Sequence, residues 1–133
     1  MQHLESAFTA ARNELAHFTA SCVACVIDDD AVTVINVGIC RAYHRRGDEL
    51  VQIGGDHAFV HHDAVVARRL LGMHSEEPAV EARVAIAAGD QLVLCTDTVW
   101  HAGGPERVMS VAAGSDLPAQ PLQDAAAIVV TLE

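Results

Sequence analysis

Residues 35–43 read INVGICRAY, an apolar run that meets a glycine and then resumes as a second, more polar run. The β-branched residues before Gly38 predict a strand, and the glycine predicts a turn into the next strand. A turn of this kind is a typical place for an acidic ligand in a β-rich enzyme. Ile39 and Cys40 stand there instead, so the stretch has the form of a ligand-bearing turn without the acid.

The segments on both sides of this turn read as strands joined in pairs. Three neighbouring carboxylates at residues 28–30 disfavour strand and tolerate a tight turn, and Gly47 lies in a second turn. Further on, a run that alternates apolar and charged residues is followed, after Gly89, by a more apolar run, which predicts a third hairpin. The predicted strands are Ser21–Ile27, Ala31–Val37, Arg41–Arg45, Glu49–Ile53, Val80–Ile86, Gln91–Thr96 and a final Ala125–Leu132.

Three segments have helical patterns. The first, about Leu4 to Phe18, repeats apolar residues every three or four positions. The second, about His62 to Leu71, is followed by Gly72, which suits a helix terminus. The third begins at Pro105, which suits a first helical position, and Gly114 suits its terminator. Hairpins with helices inserted between them predict an α+β fold of layered, mostly antiparallel β-sheets flanked by helices, as one domain over residues 1–133.

Composition restricts the classes of function. A net charge of −10 disfavours nucleic acid and anionic lipid as partners, because both require clustered Lys and Arg. No run approaches the roughly 18 apolar residues of a membrane span. The first residues lack the basic patch and apolar run of a secretory signal, so we expect a cytoplasmic protein.

The four cysteines raise the question of a zinc site. Cys22 and Cys25 form a C-x-x-C pair, which Cys40 and Cys95 could complete. However, the pair lies in a strand-like run, and strand positions three apart point to opposite faces. Buried free thiols that pack as small apolar side chains are therefore the favoured interpretation, with a metal or disulfide site as the alternative.

Several short segments resemble, in the same order, those of the metal-dependent serine/threonine protein phosphatases of type 2C, the PPM superfamily. Residues 36–43 resemble the family's Asn-Val-Gly-Asp-Ser-Arg-Ala-Tyr motif, and residues 56–57 resemble its Asp-His-Ser segment. Residues 67–72 and 89–97 resemble its Arg-Ala-Leu-Gly and Gly-Asp-x-Leu-Leu-Leu-Cys-Ser-Asp-Gly segments, and residues 123–132 resemble its closing strand. The matching positions are Asn36, Val37, Gly38, Arg41, Ala42, Tyr43, Asp56, His57, Gly89, Asp90, Leu92, Leu94, Cys95, Asp97 and Asp124.

The resemblance implies an α-β-β-α sandwich and, in the family, a pair of divalent ions that activates a water for phosphoester hydrolysis. Asp97 and Asp124 match two acids that hold one of those ions. The family's domain is nearly twice as long, and its N-terminal metal-binding strands have no counterpart here. The resemblance therefore implies a shortened, degenerate member with vestigial ligands. The degenerate positions are Ile39 for an acid, Cys40 for a hydroxyl residue, Thr98 for a glycine and Ala125 for an asparagine.

Histidines offer a different route to a metal site. If the second helix begins early enough, His57 and His61 lie at positions i and i+4 on one face and could share a transition-metal ion. Asp63 or His101 would then approach from another segment. Solvated histidines at a helix start are the alternative interpretation.

Three functions remain open. The favoured one is a phosphatase-like module that has lost catalysis, needs no cofactor and acts in binding or regulation. The second is a minimal metal-dependent phosphoprotein or phosphoester hydrolase in which Asp97, Asp124 and the histidines hold Mn²⁺ or Mg²⁺. The third is a structural protein. Because the absent strands would expose apolar sheet surface or an unpaired edge, we predict a homodimer through that edge or face, with another protein as the alternative partner.

Overall fold

The computed structural model describes residues 18–116 and 124–133, together with Ser6 and Ala10. The predicted first helix, Leu4 to Phe18, therefore lies almost entirely outside the described residues. Within the described part, no helix is long and apolar enough to cross a membrane.

From residue 18 onward, the described residues contain nine strands and one helix, and every strand pairs antiparallel with its neighbours. The first two predicted hairpins, β1–β2 and β3–β4, and the final strand are confirmed. The elements are β1 Cys22–Ile27, β2 Ala31–Val37, β3 Arg41–Arg46, β4 Glu49–Gln52, β5 Ala58–His61, β6 Ala64–Ala67, β7 Val80–Ala85, β8 Gln91–Cys95, α1 Asp97–Ala112 and β9 Ala127–Thr131.

The strands form two sheets and a separate short hairpin. The three-stranded sheet has the order β1-β2-β7, the four-stranded sheet has the order β4-β3-β8-β9, and β5 pairs with β6. One apolar cluster, around Val32, Val34 and Leu92, lies between the two sheets. A second, around Val93 and Trp100, lies between the four-stranded sheet and α1. This arrangement confirms the predicted layered, mostly antiparallel α+β fold.

The predicted third hairpin, Val80–Ile86 with Gln91–Thr96, is wrong. β7 pairs with β2, whereas β8 pairs with β3 and β9, so the turn at Gly89 carries the chain from one sheet to the other. The burial patterns give the physical reason. β7 alternates between half-buried and exposed residues, as an edge strand covered on one face does. β8 is covered on both faces, because it lies between α1 and the other sheet.

The predicted helix from His62 to Leu71 is also wrong, because this region contains the hairpin β5–β6. His62 and Asp63 both have positive φ angles, 47° and 61°, as a two-residue type I′ turn requires. Neither residue is the glycine that usually marks such a turn. The valines of β5 and β6 then pair across the ladder instead of lining a helical face.

The third predicted helix is longer than expected. α1 begins at Asp97 and kinks at Gly104, whose φ and ψ angles of 58° and −157° are not helical. Pro105 therefore starts the second half of α1, which is the position expected for it. The helix ends at Ala112, and Gly114 follows with a φ of 90°, in agreement with its predicted role as a terminator.

Candidate functional site

The turn at residues 38–40 connects the two sheets and is held tightly by Ser21. Gly38 has a φ of 110°, and a Cβ atom at this position would lie 2.3 Å from the Ser21 hydroxyl oxygen. The backbone N–H of Ile39 donates a hydrogen bond of 3.0 Å to the same oxygen. Only glycine fits this position, both because of its dihedral angle and because of the space around it.

His57 fixes the turn from a second side. The backbone N–H of Gly38 donates to His57 Nδ1 at 3.1 Å, and the backbone N–H of His57 donates back to the Gly38 carbonyl at 2.8 Å. Since Nδ1 accepts, Nε2 carries the ring proton and donates to the Pro78 carbonyl at 2.9 Å. His57 is 1% exposed, so both its ring nitrogens are committed inside the protein.

The predicted site of His57 and His61 lacks the helix on which it depended. His57 precedes β5 and is buried, whereas His61 ends β5 and is exposed. His101 does lie near Asp63, but its Nε2 donates to the backbone carbonyl of that residue at 2.8 Å and does not contact the carboxylate. His57 and His101 thus link segments of the chain through hydrogen bonds, whereas His61 is exposed next to the β5–β6 turn.

Two further side chains, Asn36 and Trp100, also hold the turn, and neither was predicted as a site residue, although Asn36 is a motif position. Asn36 Nδ2 donates to the carbonyls of Cys40, at 2.6 Å, and Gly55, at 3.0 Å. Trp100 Nε1 donates to the Ile39 carbonyl at 2.9 Å. The sequence contains one tryptophan, and its position just after a motif aspartate was the only available signal.

Arg41 anchors the start of β3 beside this turn. Its guanidinium carbon lies 3.4 Å from the centroid of the Trp100 ring, and its Nε donates to the carboxylate of Asp56. A cation stacked on an indole and paired with a carboxylate is well fixed. The motif positions Arg41 and Asp56 therefore serve to position the turn and the helix.

Asp97 and Asp124 lie on adjoining segments. Asp97 follows β8 and begins α1, Asp124 precedes β9, and the two strands end their pairing at Cys95 and Ala127. The hydroxyl of Thr98 donates to the backbone carbonyl of Asp124 at 3.1 Å. The residue that replaces the family's glycine thus ties the backbone of one motif acid to the helix that carries the other.

The remaining degenerate positions are apolar or sulfur-containing. Ala125 packs against the apolar cluster under α1. Burial raises the pKa of the Cys40 thiol to about 11, and the charges of Asp97 and Cys22 contribute to the increase.

A cavity of about 270 Å³ adjoins this site, at the side where β1 and β9 form the outer strands. Cys22, Cys40 and Cys95 line it, and burial raises the pKa of Cys95 to about 12, with the nearby Cys40 as a second cause. All four cysteines are free thiols, and Cys25 is also partly buried.

The carboxylates of Asp97 and Asp124 could supply only part of the ligand shell of a metal ion. Two carboxylates suit Mg²⁺ or Mn²⁺ chemically, but such ions take about six oxygen ligands, so water or another group would have to supply the others. Among the described residues, no group of three or more His, Cys, Asp or Glu side chains is placed to hold a metal ion. Asp97 and Asp124 are the residues that would contribute to such a shell.

Comparison with solved structures identifies the fold. PppA, described as a key regulatory component of the T6SS in Pseudomonas aeruginosa, is 24% identical, with a TM-score of 0.72 over 85% of this chain and 54% of its own. The serine/threonine phosphatase PstP/Ppp of Mycobacterium tuberculosis is 22% identical, with a TM-score of 0.70 over 81% of this chain and 54% of its own. The chain thus spans about half the length of these two proteins and shares their type 2C fold.

A third solved structure with this fold matches a larger share of both chains. The stage II sporulation E family protein of Thermanaerovibrio acidaminovorans is 16% identical, with a TM-score of 0.67 over 96% of this chain and 75% of its own. No curated protein sequence matches the chain significantly. The sequence model of one family, stage II sporulation protein E (SpoIIE), matches residues 1–131. This chain therefore belongs to the SpoIIE family.

Proposed function

We propose that this chain is a phosphatase-like binding module that does not perform the two-metal hydrolysis of type 2C phosphatases. The observation that carries the proposal is the turn at residues 38–40. Ile39 occupies the position at which the type 2C motif has an acid, and an aliphatic side chain has no lone pair to offer a cation.

The hydrogen bonds of the turn support this proposal, because they leave little freedom for another group to take over the role. The N–H of Ile39 is held by Ser21, its carbonyl accepts from Trp100, and the Cys40 carbonyl accepts from Asn36. Moving the backbone to bring a different oxygen toward Asp97 would break several of these bonds at once. These hydrogen bonds hold the turn in one conformation.

The contact between Thr98 and Asp124 supports the same interpretation. In the motif that this segment resembles, glycine leaves open space next to the first acid. Here Thr98 has a side chain at that position, and its hydroxyl donates a hydrogen bond to the backbone carbonyl of Asp124. A position beside the motif acids has therefore gained a structural contact.

A minimal hydrolase remains the second candidate, because Asp97 and Asp124 still lie on adjoining segments. The catalytic domain of PstP, another structure with this fold, was solved in complex with two manganese ions. In this chain, Asp97 and Asp124 would contribute carboxylate oxygens to one ion, which would activate a water for attack on a phosphoester.

Phosphate release and metal binding test the two candidates. The chain is assayed with p-nitrophenyl phosphate and with a phosphothreonine peptide in millimolar Mn²⁺ or Mg²⁺, and Mn²⁺ binding is measured by calorimetry. The test variant is Asp97→Asn with Asp124→Asn, and the matched control is Asp48→Asn, an exposed acid on the β3–β4 turn.

We expect phosphate release by the wild-type chain to equal that of the double variant, with Mn²⁺ bound weakly in all three proteins. Release that is clearly higher in the wild type and in the Asp48 variant, and absent from the double variant, would overturn the binding-module proposal and support the hydrolase.

A further inference from the structure

Ile128 occupies an interior position that the described residues do not cover. It lies on β9 opposite Leu94, and the next residue on the same face, Val130, packs against the apolar cluster between the sheets. Because side chains two apart in a strand share a face, Ile128 also points toward the space between the sheets. Nevertheless, Ile128 is 63% exposed.

Among residues 18–116 and 124–133, no strand or helix covers this side of the sandwich, which is called the open side below. The cavity of about 270 Å³ is bounded by Cys22 and Val23 of β1 and by Ala127 and Ile128 of β9. Val129, on the other face of β9, is 38% exposed. Apolar surface of this kind along an edge strand often marks a place where another chain binds.

The two sides of the sandwich differ in the charge of their outer strands, which are β4 and β7 on one side and β1 and β9 on the other. On the closed side, β4 contains Glu49, and β7 contains Glu81 and Arg83. On the open side, β1 and β9 read CVACVI and AIVVT and contain no charged residue. Charged edge strands resist pairing with other chains, whereas the open side lacks this protection.

We propose that a second copy of this chain covers the open side, with the two β9 strands paired antiparallel about a two-fold axis at Val129. In this register Val129 faces its own copy, Ile128 faces Val130, and Ala127 faces Thr131. Each cross-strand pair is neutral, and Ile128 and Val130 fall on the same inter-sheet face in both copies. The pairing extends the four-stranded sheet into one of eight strands.

The strands β1 and β9 offer a charged partner no side chain with which to form an ion pair, whereas a second copy presents the same uncharged strands. With a net charge of −10, two copies repel each other over most of their surface. The uncharged β1–β9 side is where they approach at least cost. The proposal goes beyond the proposed binding function, because it holds whether or not the chain hydrolyses phosphoesters.

The area involved sets the strength of the dimer. A strand of five residues spans about 17 Å, and edge pairing of this length buries less surface than a stable dimer requires. Cover of the cavity and of the exposed Val26 and Ile27 at the end of β1 adds apolar area. We therefore expect association in the micromolar range.

Sedimentation velocity across micromolar concentrations tests the proposal. The test variant is Ile128→Lys, which places two ammonium groups in the paired edge. The matched control is Val51→Lys, since Val51 is 50% exposed on β4, the opposite edge of the same sheet. We expect a dimer for the wild type and Val51→Lys, and a dissociation constant higher by about tenfold or more for Ile128→Lys.

Hydrogen exchange on the wild type gives a second measurement that needs no substitution. Amides of residues 127–131 should become better protected as the concentration rises through the dissociation constant. A wild-type monomer at high micromolar concentration would overturn the proposal. So would a dimer that Ile128→Lys leaves intact, or one that Val51→Lys weakens equally.

Discussion

Ile39 alters what the turn between β2 and β3 can bind without altering how the turn folds. All the hydrogen bonds that hold residue 39 in place use its backbone N–H and carbonyl, which any residue other than proline provides. The side chain at this position is therefore free to change from an acid to an aliphatic group. A fold can survive the loss of a ligand in this way, because the fold and the ligand depend on different atoms.

Also at the scale of residues, the pKa of the Cys40 thiol depends on the charge of Asp97. The nearby carboxylate is one reason for the raised pKa of the Cys40 thiol, after burial. Asp97→Asn removes that negative charge, so the thiolate becomes less costly and the pKa falls. We expect Cys40 in this variant to react severalfold faster with iodoacetamide at pH 8, as measured by mass spectrometry of the labelled peptide.

The other thiols provide the control for this prediction. Burial and Cys40, rather than Asp97, raise the pKa of Cys95, so its labelling rate should not respond directly to Asp97→Asn. A uniform increase at all four cysteines would indicate loosening of the fold. An unchanged rate at Cys40 would mean that the carboxylate does not act on the thiol.

At the scale of elements, the sequence was informative where the local pattern and the tertiary contacts agree. β1 to β4 were predicted because Asp28–Asp30 and Gly47 mark their turns and β-branched residues fill the first two strands. The β5–β6 turn was missed because His62 and Asp63 adopt positive φ angles without a glycine. The pairing of β7 and β8 was missed because closeness along the chain says nothing about which sheet a strand joins.

The candidate site followed the same division. The motif resemblance indicated Asp97, Asp124 and the replacement of a motif acid by Ile39, because residue type and order in the sequence are enough to recognise them. The roles of Ser21, Trp100 and Thr98 depend on contacts between segments far apart in sequence, which no local pattern encodes. His57, which the resemblance marked as a motif position, is a buried link between two loops.

The β2–β3 turn as an element should be intolerant of any side chain at Gly38. In Gly38→Ala the new Cβ would meet the Ser21 side chain at 2.3 and 2.8 Å and its Cα at 2.9 Å, in addition to the cost of a φ of 110°. We expect the free energy of unfolding to fall by about 2–4 kcal/mol, as measured by urea denaturation.

Gly89→Ala is the matched control, because Gly89 also has a positive φ, 85°, but nothing lies within 4 Å of a Cβ atom there. Its cost should be near the roughly 1 kcal/mol that the dihedral angle alone imposes. Equal losses in the two variants would show that crowding against Ser21 contributes nothing.

At the scale of the whole molecule, Asp90 joins the crossover between the sheets to β3. It is 2% exposed and accepts hydrogen bonds from Arg46 Nε at 2.8 Å and Nη2 at 2.7 Å. It also accepts from the backbone N–H of Ala87 at 2.9 Å, and His44 Nε2 lies 2.7 Å from its carboxylate. The turn that moves the chain from β7 to β8 is thus fixed by one buried charge.

Asp90 should therefore make stability depend on pH. The hydrogen bonds from Arg46 hold the pKa of the Asp90 carboxyl well below its ordinary value, helped by His44 and Ala87 and opposed by burial. A lowered pKa in the folded state adds stability above the unfolded pKa of about 4, and this contribution is lost as the pH falls toward the lower folded value. Asp90→Asn removes the charge at every pH.

We expect Asp90→Asn to lower the free energy of unfolding by about 2–3 kcal/mol at pH 7, because charge-assisted hydrogen bonds are lost around a buried group. The difference between wild type and variant should stay constant from pH 8 to about 5 and shrink below about 4, where the wild-type carboxylate loses its advantage. Urea denaturation at each pH measures this difference, and Asp48→Asn, at an exposed turn, should show almost none. If the gap between wild type and Asp90→Asn stays constant down to pH 3, the ion pairs of Asp90 do not stabilise the crossover through their charge.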